Sequence, residues 1–288
     1  MDQHSISQGE LEQNMMRRVD FESETATVKR FAQQEGATMK RNGSDFIMTA
    51  LAMFSLLGPF APSAFADTFV IYGASGNIGS LIVEEALLRG HEVVGVSRNP
   101  ESFQIENTHF SAARGDVTDP DSIVATVQGA DVVIIAVGGV GPGNTPEEAV
   151  AFRGTNAYIE AASRLGNATP YVIQVGSGTT LNTNGVRVFG TLDLEPGTPV
   201  HGLFQGHWLA LEAYRHSMGF DWTVMSAAYG SIMGRGEYTG RYRLGDQETL
   251  FDRNGSSLLS KEDYAIAVID MAESHTVTGK RVAVGPPY

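Results

Sequence analysis

The stretch from Thr68 to Gly79, TFVIYGASGNIG, decides the fold of this chain. It reads as a short apolar strand, a turn with three glycines and the start of a helix that Gly90 ends. Gly73 permits a tight turn, Gly76 lets the backbone approach a pyrophosphate, and Gly79 lets helix and strand pack closely. The dipole of the helix favours negative charge there. This pattern predicts a dinucleotide site formed by Gly73, Ser75, Gly76, Asn77, Ile78 and Gly79, the alternative being a glycine-rich turn that binds nothing.

Strands and helices alternate along the rest of the chain. Further strands are predicted at 91–96, 110–117, 131–137, 170–175, 221–226 and 280–284. Further helices are predicted at 120–128, 146–165, 205–216 and 261–272. The alternation predicts an α/β fold of the Rossmann type, with a doubly wound, mostly parallel sheet and a small C-terminal extension on the substrate side.

The end of the second predicted strand distinguishes the two nicotinamide dinucleotides. An NAD-preferring site places Asp or Glu there to hold the ribose 2′-hydroxyl, whereas this chain has Ser97 and Arg98. A guanidinium binds a 2′-phosphate bidentately, and a carboxylate would repel it. The sequence therefore favours NADP(H) over NAD(H), unless Arg98 is simply an exposed loop residue.

The ends of the later strands complete the predicted cofactor site. Asp116 and Val117 would lie beside the adenine, although Asp116 could instead close a simple turn. The other predicted contacts are Ala136, Val137, Gly138 and Gly176. The glycine-rich run 138–143 could approach the nicotinamide ribose or form a flexible lid, and the long connection 181–204 is the predicted substrate lid.

Five segments together resemble one family. They are GASGNIG at 73–79, VGSGTTL at 175–181, FDWT at 220–223, GEYTGRYRLG at 236–245 and GSSLLSKEDYAIAVID at 255–270. Across 67–288 the chain resembles the atypical short-chain dehydrogenase/reductases with NAD(P)H-binding domains, in the NmrA-like and NADH-flavin reductase group. The resemblance implies a single extended Rossmann domain whose C-terminal part closes over the nicotinamide. The chain departs from that family at Ala227-Ala228, where a proline is usual.

The wider superfamily uses a Tyr-x-x-x-Lys pair, in which the lysine lowers the tyrosine pKa. No tyrosine of this chain has a lysine four residues later, which disfavours carbonyl reduction or sugar epimerisation by that pair. Reduction of a flavin mainly requires two rings held in register, because the cofactor carries the hydride. The sequence thus predicts an NAD(P)H-dependent reductase of a flavin, quinone or similar planar acceptor. A non-catalytic NADP(H)-binding sensor is the alternative, and a sugar-nucleotide isomerase or epimerase is a third.

Four residues are candidates for catalysis. Ser177 and Thr179 could bond the carboxamide or the acceptor, or serve only a local turn. His207 could donate a proton or be structural, and Tyr229 could stack on an acceptor ring. No metal is predicted, because no HExxH or comparable ligand spacing occurs. The chain has no cysteine, which excludes disulfides and thiolate chemistry.

Charge and the N-terminal sequence bear on partners and location. The formal net charge of −13 argues against a nucleic-acid surface and leaves a small-molecule acceptor as the expected partner. Residues 1–38 are predicted to be a disordered or mis-annotated leader, and 39–66 a secretory signal cleaved after Ala66, with 67–288 as the NAD(P)-binding domain. If 46–60 stays uncleaved, it could be a membrane anchor. Without a used signal the protein is expected in the cytoplasm, and the oligomeric state stays open.

Overall fold

A computed structural model describes residues 66–228 and 236–288. The predicted leader, nearly all of the predicted signal at 39–66 and the candidate Tyr229 lie outside these residues. No helix within the described ranges is long and apolar enough to cross a membrane.

Strands and helices alternate as the sequence predicts. The strands are β1 (Thr68–Tyr72), β2 (Glu92–Ser97), β3 (Phe110–Arg114), β4 (Val132–Ile135), β5 (Tyr171–Val175), β6 (Asn182–Thr183), β7 (Val186–Arg187), β8 (Trp222–Ala227), β9 (Arg243–Gly245) and β10 (Lys280–Gly285). The α-helices are α1 (Gly79–Leu88), α2 (Pro120–Thr126), α3 (Val150–Leu165), α4 (Pro199–Arg215) and α5 (Lys261–Ser274).

Eight of these strands form one sheet in the order β3-β2-β1-β4-β5-β8-β10-β9. Every neighbouring pair is parallel except β10 and β9, which are antiparallel. The strand order reverses between β1 and β4, so the chain winds outward in both directions from β1. This confirms the predicted Rossmann-type fold and places a ligand crevice at the carboxyl ends of β1 and β4.

Helices cover both faces of the sheet, because the central strands are apolar on both sides. Phe69 and Ile71 of β1 join the core that contains residues of α1 and α5. Val70 and Tyr72 point the other way, into the core that contains residues of α2, α3 and α4. The alternation along β1 therefore holds the glycine turn rigidly between two cores.

Two helix boundaries differ from the sequence prediction. Helix α4 begins at Pro199, well before Gln205, because the Thr198 hydroxyl accepts a hydrogen bond from the His201 amide (3.4 Å) and Pro199 suits the first turn. The helix predicted over 146–165 is interrupted at Ala149, which is extended (φ −61°, ψ 129°) between a short 3₁₀ turn and α3.

The predicted third strand is shorter than expected, and the predicted lid has structure of its own. Strand β3 ends at Arg114, so that 115–117 form the turn into α2. In the connection 181–204, β6 and β7 form a small hairpin. The Asn182 amide donates to the Gln247 carbonyl oxygen (2.8 Å), and the Thr249 amide donates to that of Asn182 (2.8 Å). The connection is therefore fastened to the C-terminal part of the domain.

Candidate dinucleotide site

The glycine turn after β1 is packed so tightly that side chains are excluded from it. The Gly76 amide donates to the Gly73 carbonyl oxygen (2.8 Å), and Gly73 itself has a φ of +77°. A Cβ on Gly73 would lie 2.9 Å from the carbonyl carbon of Ala136, and one on Gly79 would lie 2.7 Å from that of Gly73. The three glycines thus form a bare backbone cradle, which a Cβ would fill.

The N-terminus of α1 opens onto this cradle. The first turn of α1 carries no acidic residue, and the capping position, Ile78, has no side chain that could bond the end amides. The Ile78 side chain is buried in the core, so only its backbone faces the crevice, whereas Ser75 and Asn77 are exposed. A helix end with no capping side chain and no acid in its first turn suits a phosphate group.

The turn after β2 carries Ser97 and Arg98, as the sequence predicts. The Ser97 hydroxyl accepts from the Asn99 amide (3.1 Å), and Arg98 is exposed. Arg114 lies beside the same turn: its guanidinium donates to the Arg98 carbonyl oxygen (2.7 Å) and pairs with Glu101 (3.0 Å). Arg114 therefore holds the backbone that carries Arg98.

Asp116 is a fixed carboxylate in the turn after β3. Its Oδ1 accepts from the Thr118 amide (2.9 Å) and the Thr118 hydroxyl (2.8 Å), and its own amide donates to Ser122 (2.8 Å). Partial burial raises the pKa of Asp116, but the bonds from Thr118 and the positive charges of Arg98 and Arg153 outweigh burial and lower the pKa below its ordinary value. Arg98 and Arg153 thus both act electrostatically on the carboxylate at the predicted adenosine end.

Two predicted contacts flank this end of the crevice. Val117 is buried against α3, where a Cβ on Gly154 would lie 3.1 Å from its side chain. At the end of β4, the Val137 side chain approaches Gly73, and an added Cβ on Gly138 would meet nothing within 4 Å. Val137 therefore lies beside the glycine turn, and the backbone at Gly138 has open space next to it.

The glycine run 138–143 is fastened to the start of α3. The Gly139 carbonyl oxygen accepts from the Val150 amide (3.0 Å), and the Gly141 amide donates to the Glu148 carbonyl oxygen (3.2 Å). A Cβ on Gly143 would lie 2.7 Å from the Glu148 carboxylate. These contacts favour a fixed wall of the crevice over the flexible lid considered from the sequence.

The end of β5 presents a set of buried hydroxyls. Gly176 packs against β8, with a 2.7 Å hydrogen bond from its amide to the Met225 carbonyl oxygen. The Ser177 hydroxyl caps the following 3₁₀ turn and lies 2.8 Å from the Thr179 hydroxyl. Thr180 donates to the Ser177 carbonyl oxygen (2.7 Å). Both candidate hydroxyls are therefore engaged in the local turn that the sequence allowed as an alternative to a catalytic role.

His207 lies on α4, the helix that packs against this turn. Burial lowers the pKa of His207 to about 4. The ring is consequently an uncharged imidazole near neutral pH, so it is not an imidazolium that could donate a proton to a substrate.

The comparisons with known proteins agree with this geometry. A family model described as NAD(P)H-binding matches residues 73–275. The chain belongs to this NAD(P)H-binding family. The match covers most of the domain and confirms the resemblance drawn from the five sequence segments.

Three solved structures resemble this family member closely in fold. A candidate epimerase from Bacteroides thetaiotaomicron is 29% identical, with a TM-score of 0.67 over 77% of this chain and 98% of that chain. A candidate exported protein from Burkholderia pseudomallei is 30% identical, with a TM-score of 0.61 over 76% and 100%. A candidate NADH-flavin reductase from Streptococcus pneumoniae is 25% identical, with a TM-score of 0.64 over 77% and 100%.

Sequence reasoning missed three cationic residues at the site of this family member. Arg114 and Arg153 act at the Arg98 turn and at Asp116. The ammonium of Lys261 donates to Asn77 Oδ1 (2.7 Å) from the start of α5. Arg114 lies within the strand predicted at 110–117, close to Asp116, and could have been found there. Nothing local points to Arg153 or Lys261, which reach the site from distant helices.

Proposed function

We propose that this protein is an NADP(H)-dependent reductase of a flavin, quinone or similar planar acceptor. The observation that carries the proposal lies at the carboxyl ends of the neighbouring parallel strands β1 and β2: a bare glycine cradle follows β1, and the exposed Arg98 follows β2. The cradle suits the pyrophosphate of a dinucleotide. When bound, the nicotinamide supplies a hydride, and the chain's own residues bind it and orient it.

The preference for NADP(H) rests on the cations near the adenosine end. Arg98 takes the place at which an acid would hold a ribose 2′-hydroxyl, and Arg114 supports its backbone. Arg153 adds positive charge beside Asp116. A 2′-phosphate placed among these groups would be attracted by guanidinium charge, which acts over a few ångströms even at a surface.

The choice of acceptor rests on the three catalytic candidates that the structure describes, none of which is a suitable proton donor. Ser177 and Thr179 are buried and bonded to one another, and His207 is neutral near neutral pH. A carbonyl substrate requires a proton at its oxygen in the transition state. A flavin or quinone can take the hydride first and its proton from solvent, so the chain mainly needs to stack the acceptor on the nicotinamide. Tyr229, on the sequence argument, is the proposed stacking residue.

The test is oxidation of NADPH by the full chain with FMN and a quinone as acceptors, followed by nicotinamide absorbance. We expect turnover, faster with NADPH than with NADH at low concentration. Gly76→Trp fills the cradle and should abolish NADPH binding and turnover together. Activity that survives this substitution would show that the site is assigned wrongly.

A non-catalytic NADP(H) sensor is the second candidate. It is favoured by the engagement of Ser177 and Thr179 in their own turn. Tight NADPH binding, with no acceptor reduced across a broad panel of flavins and quinones, would identify this function. A sugar-nucleotide isomerase is disfavoured by the missing Tyr-x-x-x-Lys pair.

We also infer that residues 39–66 direct export. The sequence has a basic start, an apolar run and an Ala-x-Ala site ending at Ala66. A similar structure belongs to a candidate exported protein of Burkholderia pseudomallei. Mass spectrometry of the native N-terminus should find Asp67 as the first residue. A chain that retains 39–66 would contradict cleavage and favour an anchored or cytoplasmic protein.

A further inference from the structure

Lys261 brings a positive charge to the glycine cradle from the far end of the chain. Its ammonium donates to Asn77 Oδ1 at 2.7 Å across 184 positions of sequence. Asn77 lies between Gly76 and the N-terminus of α1. The ammonium therefore contacts the side chain of the residue that follows Gly76, in the turn that is expected to hold a pyrophosphate.

The backbone of Lys261 is held firmly in this place. Lys261 is the first residue of α5, and the preceding Ser260 is buried and caps the helix by accepting from the Asp263 amide (2.9 Å). Helix α5 packs against α1. The helix that carries the lysine and the helix that opens onto the cradle thus form one packed pair, and only the flexible side chain of Lys261 needs to move.

The charge of Lys261 is not neutralised by a neighbour within the described ranges. Asn77 is a neutral partner, and no carboxylate there forms an ion pair with the ammonium. The nearby Asp263 carboxylate is directed to the backbone amides of Thr239 (3.0 Å) and Gly240 (2.7 Å). A cation with a neutral partner, beside an uncapped helix end, is suited to an anionic ligand.

We propose that Lys261 is a pyrophosphate-binding residue, whose ammonium contacts a phosphate oxygen of the dinucleotide beside Asn77. This inference rests on the proposed NADP(H) function. Lys261 begins α5, and Asp263 of the same helix binds the backbone at 239–240. The proposal therefore gives the C-terminal part of the domain a direct role in cofactor binding. Lysine serves here as a mobile point charge, whereas Arg98 would bind the 2′-phosphate as a planar fork.

The affinities of the full-length protein for three ligands distinguish the pyrophosphate site from the 2′-phosphate site. NADP⁺ has both groups, ADP-ribose has the pyrophosphate without a 2′-phosphate, and 2′-AMP has the 2′-phosphate without a pyrophosphate. We expect K261Q to lower the affinity for NADP⁺ and for ADP-ribose by about tenfold or more, as for the loss of a charged hydrogen bond. Its affinity for 2′-AMP should be unchanged. R98Q should lower the affinity for NADP⁺ and for 2′-AMP and leave the affinity for ADP-ribose unchanged.

The matched control is Lys280, the second lysine of 67–288, which is exposed at the start of β10. K280Q removes the same charge elsewhere and should bind all three ligands like the wild type. K261R retains a cation and should recover most of the ADP-ribose affinity. A purely structural clasp to Asn77 predicts instead a lower unfolding temperature without a selective loss of ADP-ribose, and that result would overturn the inference.

The remaining outcomes distinguish this inference from the proposed function. If the wild type binds neither NADP⁺ nor ADP-ribose, the proposed function fails, and this inference fails with it. If the wild type binds both and K261Q binds ADP-ribose equally well, only the role of Lys261 is overturned. Should K261Q not fold, K261M provides the same loss of charge, and weaker salt dependence of its ADP-ribose affinity is the expected result.

Discussion

The carbonyl group of Gly73 occupies the space in which Gly79 would carry a Cβ. Because Gly79 begins α1 and Gly73 directly follows β1, this contact sets the distance between strand and helix. It also leaves no room for side chains over the turn, and the helix end carries no capping side chain. The same contact therefore determines both how the βα unit packs and why it can receive a phosphate.

Gly79→Ala should destabilise the protein and abolish dinucleotide binding. The added methyl would lie 2.7 Å from the Gly73 carbonyl carbon, so the helix must move away from the strand, at a cost of about 1–3 kcal/mol. Chemical denaturation and NADPH titration measure the two effects. Gly190→Ala is the control for stability, since its Cβ would meet nothing within 4 Å. Unchanged stability of Gly79→Ala would contradict the packing described here.

Arg98→Gln should lower the preference for NADPH over NADH. Loss of a guanidinium at a 2′-phosphate weakens NADPH binding by about tenfold or more, and NADH has no group at that position. The ratio of the two dissociation constants is the measurement. Arg253→Gln, at an exposed arginine of the C-terminal loop, is the control. A proportional loss of affinity for both cofactors would place Arg98 outside the 2′-phosphate site.

Gly206→Ala should destabilise the protein although alanine is the better helix former. In an open helix the change would stabilise by about 0.5–1 kcal/mol. Here the methyl would lie 2.9 Å from the Pro146 carbonyl oxygen and overlap Ala149, so α4 could no longer pack on the turn at 146–149. We expect a net loss of about 1–3 kcal/mol. Urea denaturation measures the free energy of unfolding of Gly206→Ala, with Gln205→Ala as the control on the same helix. A Gly206→Ala protein more stable than the wild type would refute the prediction.

Asp263→Asn should loosen the segment at 239–240. The buried Asp263 carboxylate accepts from the amide (3.0 Å) and hydroxyl (2.9 Å) of Thr239 and from the Gly240 amide (2.7 Å). An amide offers one oxygen where the carboxylate offers two, and we expect a loss of about 1–3 kcal/mol. Limited proteolysis should cut near 239–240 sooner than in the control Glu262→Gln. Equal rates of cleavage would argue against this anchor.

His207 should make the protein less stable in acid. Burial lowers its pKa from 6.5 to about 4, so the unfolded chain binds a proton more readily than the folded one. Its contribution is fully present above about pH 6.5 and is lost as the pH falls toward about 4, up to about 3 kcal/mol. His207→Gln should make the unfolding midpoint less dependent on pH over this interval. The same substitution at the exposed His216 should leave that dependence unchanged. Parallel pH profiles for wild type and His207→Gln would disprove the assignment.

The sequence by itself determined the βαβ unit and the parallel sheet. Apolar runs specify the buried strands, and the spacing of Gly73, Gly76 and Gly79 specifies the turn. Asp119 precedes Pro120 at the start of α2, and its carboxylate accepts from the Asp121 amide (3.0 Å), as a helix-capping residue does. These features were predictable because each is encoded within a few neighbouring residues.

The tertiary structure decided the features that depend on groups far apart in the chain. The break at Ala149 and the early start of α4 accompany the packing of Gly206 on the turn at 146–149, and no local pattern contains both partners. Arg153 reaches Asp116 from α3, and Lys261 reaches Asn77 from α5. Hydrophobic periodicity says which face of a helix is buried but not which distant charge its end will meet. That pairing is set by the order of the strands in the sheet, which decides which helix ends become neighbours.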